Sequence, residues 1–153
     1  MTAPIRPRWF EDYAEGLVLE VGRQAVEEAE VLDFARRYDP QPFHVDKEAA
    51  EASIFKGLIT SGFHTCALMM RMLADHYLAP ESSLGSPGLD ELRWLLPVRP
   101  GDRLSLRLTV LEARSSRSKP DRGLIRTGVA VLNQTGAEAM TLIVTTMALK
   151  RPA

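Results

Sequence analysis

Residues 59–78, ITSGFHTCALMMRMLADHYL, decide the fold of this chain because their apolar positions repeat with the period of a helix. Thr60 or Ser61 can cap that helix, which is predicted to run from about Gly62 to Leu78. The residues expected on its apolar face are Phe63, Cys66, Ala67, Met70, Leu73, Ala74 and Tyr77, and Leu68, Met69 and Met72 are expected to widen that face. A narrow polar strip remains, formed by His64, Thr65, Arg71 and Asp75. A helix that is apolar on most sides is predicted to be central and wrapped by other elements.

Residues 38–46, YDPQPFHVD, hold an aspartate and a histidine five positions apart, Asp39 and His44. Pro40 and Pro42 remove two backbone donors and disfavour helical backbone in the residues before them, so this segment is predicted to be non-helical. In an extended chain, side chains that are an odd number of residues apart point to opposite faces, so these two converge only if the segment turns. A carboxylate and an imidazole beside one pocket can share the handling of a water molecule. The alternative is a turn aspartate and a histidine that only satisfies local hydrogen bonds.

The other segments place helices before the central helix and strands after it. The helical patterns are Glu27–Tyr38, with acidic residues first and arginines last, and Asp46–Ser53, with Asp46 as its cap. Strands are predicted at 17–21, closed by Gly22, and, after a loop at 80–88, at 90–98, 102–114, 124–132 and 138–150. A sheet wrapped around one helix buries the apolar surface of both. The sequence therefore predicts an α+β fold in a single domain, residues 1–153.

Composition excludes several classes of protein. The 153 residues are 45% hydrophobic and 25% charged, as in an ordinary globular domain, and a net charge of −1 gives no drive toward nucleic acid or anionic membranes. The one cysteine, Cys66, is expected to be a buried, inert thiol, and three scattered histidines predict no metal site. With no secretory signal pattern and no apolar run long enough to cross a bilayer, we expect a cytoplasmic protein without a membrane partner.

Three phrases of the sequence resemble one family. Residues 38–46 followed by 55–62, FKGLITSG, resemble the hydratase motif of the MaoC-like dehydratases, which include the R-specific enoyl-CoA hydratases and have the hot-dog fold. Residues 95–102, LLPVRPGD, resemble the family's P-V-x-x-G-D phrase. The resemblance covers roughly residues 15–150. It implies a curved antiparallel sheet around a long central helix, and a homodimer, or a higher homo-oligomer, in which two sheets join.

The resemblance also implies roles for three residues. Asp39 and His44 match the catalytic pair that activates the water added to, or removed to form, a trans-2-enoyl thioester. Gly62 matches the glycine whose backbone N–H faces the thioester oxygen, and a helix N-terminus independently offers free N–H groups and a positive dipole end. The predicted activity is reversible hydration of an enoyl-CoA or dehydration of a 3-hydroxyacyl-CoA. No cofactor is expected beyond the coenzyme A that the substrate carries.

The sequence departs from the family pattern at three places near this motif. Gln41 stands where the family often has asparagine, Ser61 where it has histidine, and Ala67 where it has a serine that helps line the pocket. These changes bear on the acyl group rather than on the Asp–His pair. The candidates for contacts with the acyl part of the substrate are Phe43, Phe55, Ser61, Phe63 and Met70, each of which has core packing as its alternative role.

A basic loop, residues 114–122, RSSRSKPDR, is the candidate for binding the phosphates of coenzyme A through Arg117, Lys119 and Arg122. The alternative is a solvated hairpin loop. Two other functions stay open for the chain as a whole, since hot-dog folds host more than one chemistry. One is an acyl-CoA thioesterase, against which the intact Asp–His pair argues. The other is a non-catalytic acyl-CoA-binding subunit.

Overall fold

The computed structural model describes residues 6–153 as helices packed on one side of a sheet. The helices are Glu28–Tyr38 (α1), Pro42–Val45 (α2), Lys47–Ala52 (α3) and Gly62–His76 (α4), and a 3₁₀ turn spans Phe10–Asp12. The strands are Val18–Ala25 (β1), Gly88–Trp94 (β2), Arg103–Ser115 (β3), Arg122–Leu132 (β4) and Glu138–Leu149 (β5). They form one antiparallel sheet in the order β1-β3-β4-β5-β2.

One face of this sheet carries the core. Buried residues alternate along the long strands, as expected when one face of a sheet is packed and the other is open to solvent. On β3 they are Leu104, Leu106, Leu108 and Val110, and on the adjacent β4 they include Ile125, Val129 and Val131. They belong to one cluster with Leu68, Met72 and Leu73 of α4. The predicted α+β hot-dog arrangement, a curved sheet around the long helix, is confirmed.

The buried face of α4 differs from the one predicted. The side chains turned toward the sheet and the neighbouring helices are His64, Thr65, Leu68, Met69, Met72 and Leu73. Four residues predicted to be buried form an exposed stripe instead: Phe63, Ala67, Met70 and Ala74. The prediction was wrong because α4 is apolar on two sides, so its periodicity does not say which side faces the sheet. No helix within residues 6–153 is long and apolar enough to cross a membrane.

Two strand ends also differ from prediction. β1 does not close at Gly22 but continues to Ala25 through a register shift between Val21 and Gln24. Gly22 has φ of 83°, and a side chain there would collide with Met72 of α4, so the glycine marks a bulge and not an end. β2 ends at Trp94 rather than near Val98, which frees the following residues to line a cleft.

The segment with two prolines contains a helical turn, contrary to the prediction that it could not be helical. Pro42 is the first residue of α2, where a missing N–H leaves no helical hydrogen bond unmade and the fixed φ suits the helix. The two elements beside it follow the prediction. α1 ends at Tyr38, and Asp46 caps α3 by accepting a hydrogen bond from the Ala49 N–H at 3.1 Å.

Candidate active site

A cleft of about 490 Å³ lies between the start of α4, the α2 turn and the chain that follows β2. Its polar centre consists of Asp39, His44 and Gly62, and its apolar walls include Phe43, Phe55, Phe63, Trp94, Leu95 and Leu96. A cleft that is mostly apolar with a few converging polar groups is the usual form of a small-molecule site.

His44 is held in one orientation by the turn that carries it. Only 4% of its surface is exposed, and its Nδ1 lies 2.8 Å from the carbonyl oxygen of Ile59. Because a carbonyl oxygen only accepts, Nδ1 carries a proton and donates it. The other ring nitrogen, Nε2, lies 3.2 Å from Oδ2 of Asp39. The expected meeting of these two side chains therefore takes place, through the turn that begins at Pro42.

Asp39 follows α1 directly and accepts from two further side chains. The Gln41 amide donates to Oδ1 at 2.6 Å, and the Ser61 hydroxyl donates to Oδ2 at 2.7 Å. Partial burial raises the pKa of Asp39, but the hydrogen bonds from Gln41 and Ser61 and the charge at His44 outweigh it and lower the pKa below its ordinary value. The side chain is consequently a carboxylate at neutral pH.

The start of α4 brings free backbone donors to the same cleft. The N–H groups of His64 and Thr65 both donate to the Ser61 carbonyl, at 3.0 and 3.1 Å. For the N–H groups of Gly62 and Phe63 no acceptor exists within residues 6–153. Unpaired N–H groups and the positive end of the helix dipole favour a ligand oxygen that carries negative charge.

Gly62 is a glycine because of its contact with Trp94. The indole Nε1 donates to the Gly62 carbonyl at 3.0 Å, and a Cβ on Gly62 would lie 2.4 Å from Cε2 of the indole. Trp94 thus fixes the first turn of α4 while forming a wall of the cleft. Sequence reasoning assigned Trp94, Leu95 and Leu96 to a strand and not to the site. The signal that could have found them is three large apolar residues just before the break at Pro97.

The residues predicted to contact substrate fall into separate places. Phe43 and Phe63 line the cleft, and Phe55 does too, whereas Met70 is exposed on the outer stripe of α4. Ser61 is 1% exposed and lies behind the cleft, where its hydroxyl contacts Asp39 instead of facing a ligand.

The basic loop does not reach this cleft within one chain. Arg117, Lys119 and Arg122 belong to or border the β3–β4 turn, where Arg122 is paired with Asp121. The cleft lies at the other end of the sheet, where Trp94 pairs with Met140 and Met140 pairs with Val131 of β4. Arg122 and Val131 lie nine residues apart on one strand, or roughly 30 Å. Phosphate binding by this loop stays a prediction, and it requires a second copy of the chain.

His64 lies apart from the cleft. It is buried, its ring stacks on Phe34 with centroids 4.7 Å apart, and its Nε2 lies 2.9 Å from Glu30 Oε1. These contacts tie α4 to α1, which agrees with a structural role. Within residues 6–153 no group of three or more histidine, cysteine, aspartate or glutamate side chains has the arrangement of a metal site.

Comparison with known proteins gives the family. The family described as MaoC like domain matches residues 13–132, which contain the cleft and most of the sheet. This chain belongs to the MaoC-like dehydratase family. The family resemblance stated from the sequence is thereby confirmed.

Three relatives of this MaoC-like protein show how far the similarity extends. A MaoC-like dehydratase from Rhodospirillum rubrum is 39% identical, with a TM-score of 0.88 over 96% of this chain and 100% of that one. The R-hydratase PhaJ1 from Pseudomonas aeruginosa is 26% identical, with a TM-score of 0.76 over 94% of this chain and 86% of that one. Protein MaoC from Klebsiella aerogenes is 30% identical over 103 residues, which are 67% of this chain and 30% of that protein.

Proposed function

We propose that this protein catalyses the reversible hydration of a trans-2-enoyl-CoA to a 3-hydroxyacyl-CoA. The observation that carries the proposal is the 3.2 Å contact between Asp39 and His44 in a cleft that also receives the free Gly62 N–H. Membership of a dehydratase family, with an R-hydratase among the similar structures, supports chemistry of this class.

The first step uses the Asp39 carboxylate as a base toward a water molecule. Gln41 and Ser61 each occupy one lone pair of the carboxylate, and its oxygens have further lone pairs for a water O–H. His44 Nε2, fixed by the bond from Nδ1 to Ile59, orients the water from the other side. As Asp39 takes the proton, the hydroxide adds to C3 of the enoyl group and electrons move to the thioester oxygen.

The second step places the negative charge and returns the proton. The Gly62 N–H donates to the thioester oxygen while it carries enolate character, aided by the helix dipole. His44, protonated at Nε2, donates a proton to C2. The proton on Asp39 then passes to His44 across their 3.2 Å contact, so the pair regains its starting charges and one water has been added.

The shape of the cleft suits an acyl chain beside these groups. Phe43 and Phe55 pack at a centroid distance of 5.2 Å on one side, and Phe63 and Trp94 pack at 5.7 Å on the other. Apolar walls of this kind bind hydrocarbon. The coenzyme A phosphates would lie outside these walls, and the basic loop of a second copy is the proposed partner for them.

The proposal includes a homodimer. The exposed stripe of α4 begins at Phe63, which contacts Trp94 at the end of the edge strand β2. Leu89 of β2 is also exposed, and it lies opposite buried Val144, on the sheet face that carries α4. An apolar face that spans a helix and an edge strand favours contact with another protein surface, and a second copy is the occupant implied by the family resemblance.

The test is hydration of crotonyl-CoA and longer trans-2-enoyl-CoAs, followed by loss of enoyl absorbance. Asp39→Asn and His44→Ala should each lower kcat by about a hundredfold or more, the usual contribution of an acid–base group. The matched controls are Asp33→Asn on the exposed face of α1 and His76→Ala at the end of α4, both outside the cleft. These two variants should keep wild-type rates.

The same panel separates the other two functions. Release of free thiol from saturated acyl-CoA, without hydration of enoyl-CoA, would identify a thioesterase. Binding of acyl-CoA without any turnover would identify a binding subunit. Full activity in both Asp39→Asn and His44→Ala would overturn the proposed mechanism.

A further inference from the structure

Ser61 occupies the N-cap position of α4, yet its side chain does not cap the helix. A serine there ordinarily accepts a hydrogen bond from the second or third N–H of the helix. In α4 no such bond is present, and the Ser61 hydroxyl donates to Oδ2 of Asp39 at 2.7 Å. The backbone carbonyl of Ser61 takes the N–H groups of His64 and Thr65 in its place.

This arrangement has two consequences for the cleft. Oδ2 of Asp39, the oxygen nearest His44, is held by a fixed donor 22 residues away in the sequence. The N–H groups of Gly62 and Phe63 are left without an acceptor within residues 6–153 and stay available to a ligand. The Phe63 N–H is one that such a cap could take, so its freedom and the bond to Asp39 both follow from the direction of one hydroxyl that is 1% exposed and does not line the cleft.

We infer that Ser61 is a positioning residue, whose hydroxyl orients the Asp39 carboxylate toward His44. The inference rests on the proposed function, in which Asp39 is the base. It replaces the earlier expectation that Ser61 contacts substrate. It also gives a role to the serine that stands where the family resemblance has a histidine, because the Ser61 hydroxyl donates to the Asp39 carboxylate.

The variants are Ser61→Ala, which removes the donor, and Ser61→Thr, which keeps it. Ser82→Ala is the matched control, because Ser82 is also 1% exposed and lies outside the cleft, and its hydroxyl has no hydrogen-bond partner among residues 6–153. In Ser61→Ala, kcat at pH 7 should fall about tenfold to a hundredfold, as expected for a small misplacement of a reacting group. KM should change little, since Ser61 is not in the cleft wall. Ser61→Thr should restore most of kcat, and Ser82→Ala should match the wild type.

A second readout does not depend on activity. The hydrogen bond from Ser61 is one cause of the low pKa of Asp39, so its loss should raise that pKa. Titration of the Asp39 carboxyl carbon by NMR in the wild type, Ser61→Ala and Ser61→Thr measures this directly. We expect a higher pKa in Ser61→Ala and a return toward the wild-type value in Ser61→Thr.

The outcomes separate this inference from the proposed function. If the wild type hydrates no enoyl-CoA, the proposed function fails, and the Asp39 titration alone decides the contact with Ser61. An unchanged Asp39 pKa in a folded Ser61→Ala variant overturns the positioning role, whatever the activity. So does a loss of kcat in Ser82→Ala equal to that in Ser61→Ala, because the effect would then be general destabilisation.

Discussion

The hydrogen bonds to Asp39 set the pH range in which the cleft can act as a base. Partial burial alone would raise the pKa of this carboxyl, and Gln41, Ser61 and His44 together bring it below 3.8. Activity that needs the carboxylate is present above the folded-state pKa and is lost as the pH falls through it. The wild type should therefore keep its base ionised to a lower pH than an ordinary aspartate.

Replacement of Gln41 tests this ionisation. Gln41→Leu removes the donor to Oδ1, so the pKa of Asp39 rises and the acidic limb of kcat/KM moves to higher pH. Asparagine, the residue common in the family, can still donate. The acidic limb of Gln41→Asn should therefore lie between those of the wild type and Gln41→Leu. Gln24→Leu on β1, where Gln24 only contacts a backbone carbonyl, is the control and should leave the profile unchanged. If the acidic limb of kcat/KM lies at the same pH in Gln41→Leu as in the wild type, the Gln41 amide does not influence the pKa of Asp39.

Gly62 gives a prediction about packing. A methyl group at this position would overlap the Trp94 indole, with 2.4 Å to its nearest ring carbon, so Gly62→Ala should lower the free energy of unfolding by about 1–3 kcal/mol. Adding Trp94→Leu to that variant should recover part of the loss by making room. Gly88→Ala is the control, because no atom of the described residues lies within 4 Å of the methyl it would add. Urea denaturation gives the free energy of unfolding of the wild type and the three variants. A Gly62→Ala variant as stable as the wild type would contradict the close contact between Gly62 and Trp94.

Single residues also show where sequence reasoning ends. The pairing of Asp39 with His44 could be predicted because both residues lie in one short motif with turn-forming prolines between them. The contact of Ser61 with Asp39 could not, because a serine at a helix start suits a cap equally well. Only the folded position of a residue 22 places earlier decides which bond the hydroxyl makes.

Elements are held in place by a few buried polar contacts between them. The C-terminal end of α4 is joined to β4 by the Tyr77 hydroxyl, 2.7 Å from Oγ1 of Thr127, with both side chains fully buried. Tyr13 donates to the Tyr77 carbonyl at 2.7 Å, and burial raises the pKa of Tyr77 to about 12. Tyr77 is therefore a neutral partner throughout the physiological range.

A double-mutant cycle on this contact tests how α4 is anchored. Tyr77→Phe and Thr127→Val each leave a buried hydroxyl without its partner, which should cost about 1–3 kcal/mol of unfolding free energy. The double variant should lose less than the sum of the two, because no unpaired hydroxyl remains. Thr146→Val is the control: its hydroxyl is buried and has no partner in the part of the chain that the structure describes, so the change should be neutral or stabilising. Additive losses in the cycle would rule out the contact as an anchor.

Strands were easier to predict than the orientation of the helix. Alternation along β3, β4 and β5 has period two and one packed face, so the sequence specifies both the strand and its inner side. α4 is apolar on two sides, and its sequence alone does not say which side meets the sheet. The α2 turn was not predicted because proline has opposite effects at two positions. In the interior of a helix it disrupts the helix, whereas at the first helical position it is favoured.

At the scale of the whole molecule, the second apolar side of α4 needs an explanation. Phe63 is 66% exposed and Met70 45%, and the neighbouring edge strand exposes Leu89. A helix of a chain that acts alone would present polar residues there. In the proposed homodimer, two copies joined along their sheets would cover this surface and would bring a second basic loop into the assembly.

The dimer can be tested by placing charge on this surface. Leu89→Glu on β2 and Met70→Glu on α4 each bury a carboxylate without a partner in the proposed interface, so each should weaken dimerisation by at least about 2 kcal/mol. Leu111→Glu on β3 is the matched control, because Leu111 and Leu89 are both 46% exposed but Leu111 is not on the edge strand. Sedimentation equilibrium should give twice the chain mass for the wild type and Leu111→Glu, and a lower mass at the same concentration for the other two. A wild type that sediments as a single chain would overturn the proposed dimer, and a dimer indifferent to both Leu89→Glu and Met70→Glu would place its interface elsewhere. In that case the basic loop, roughly 30 Å from the cleft of its own chain by strand length, would lose its proposed route to the coenzyme A phosphates.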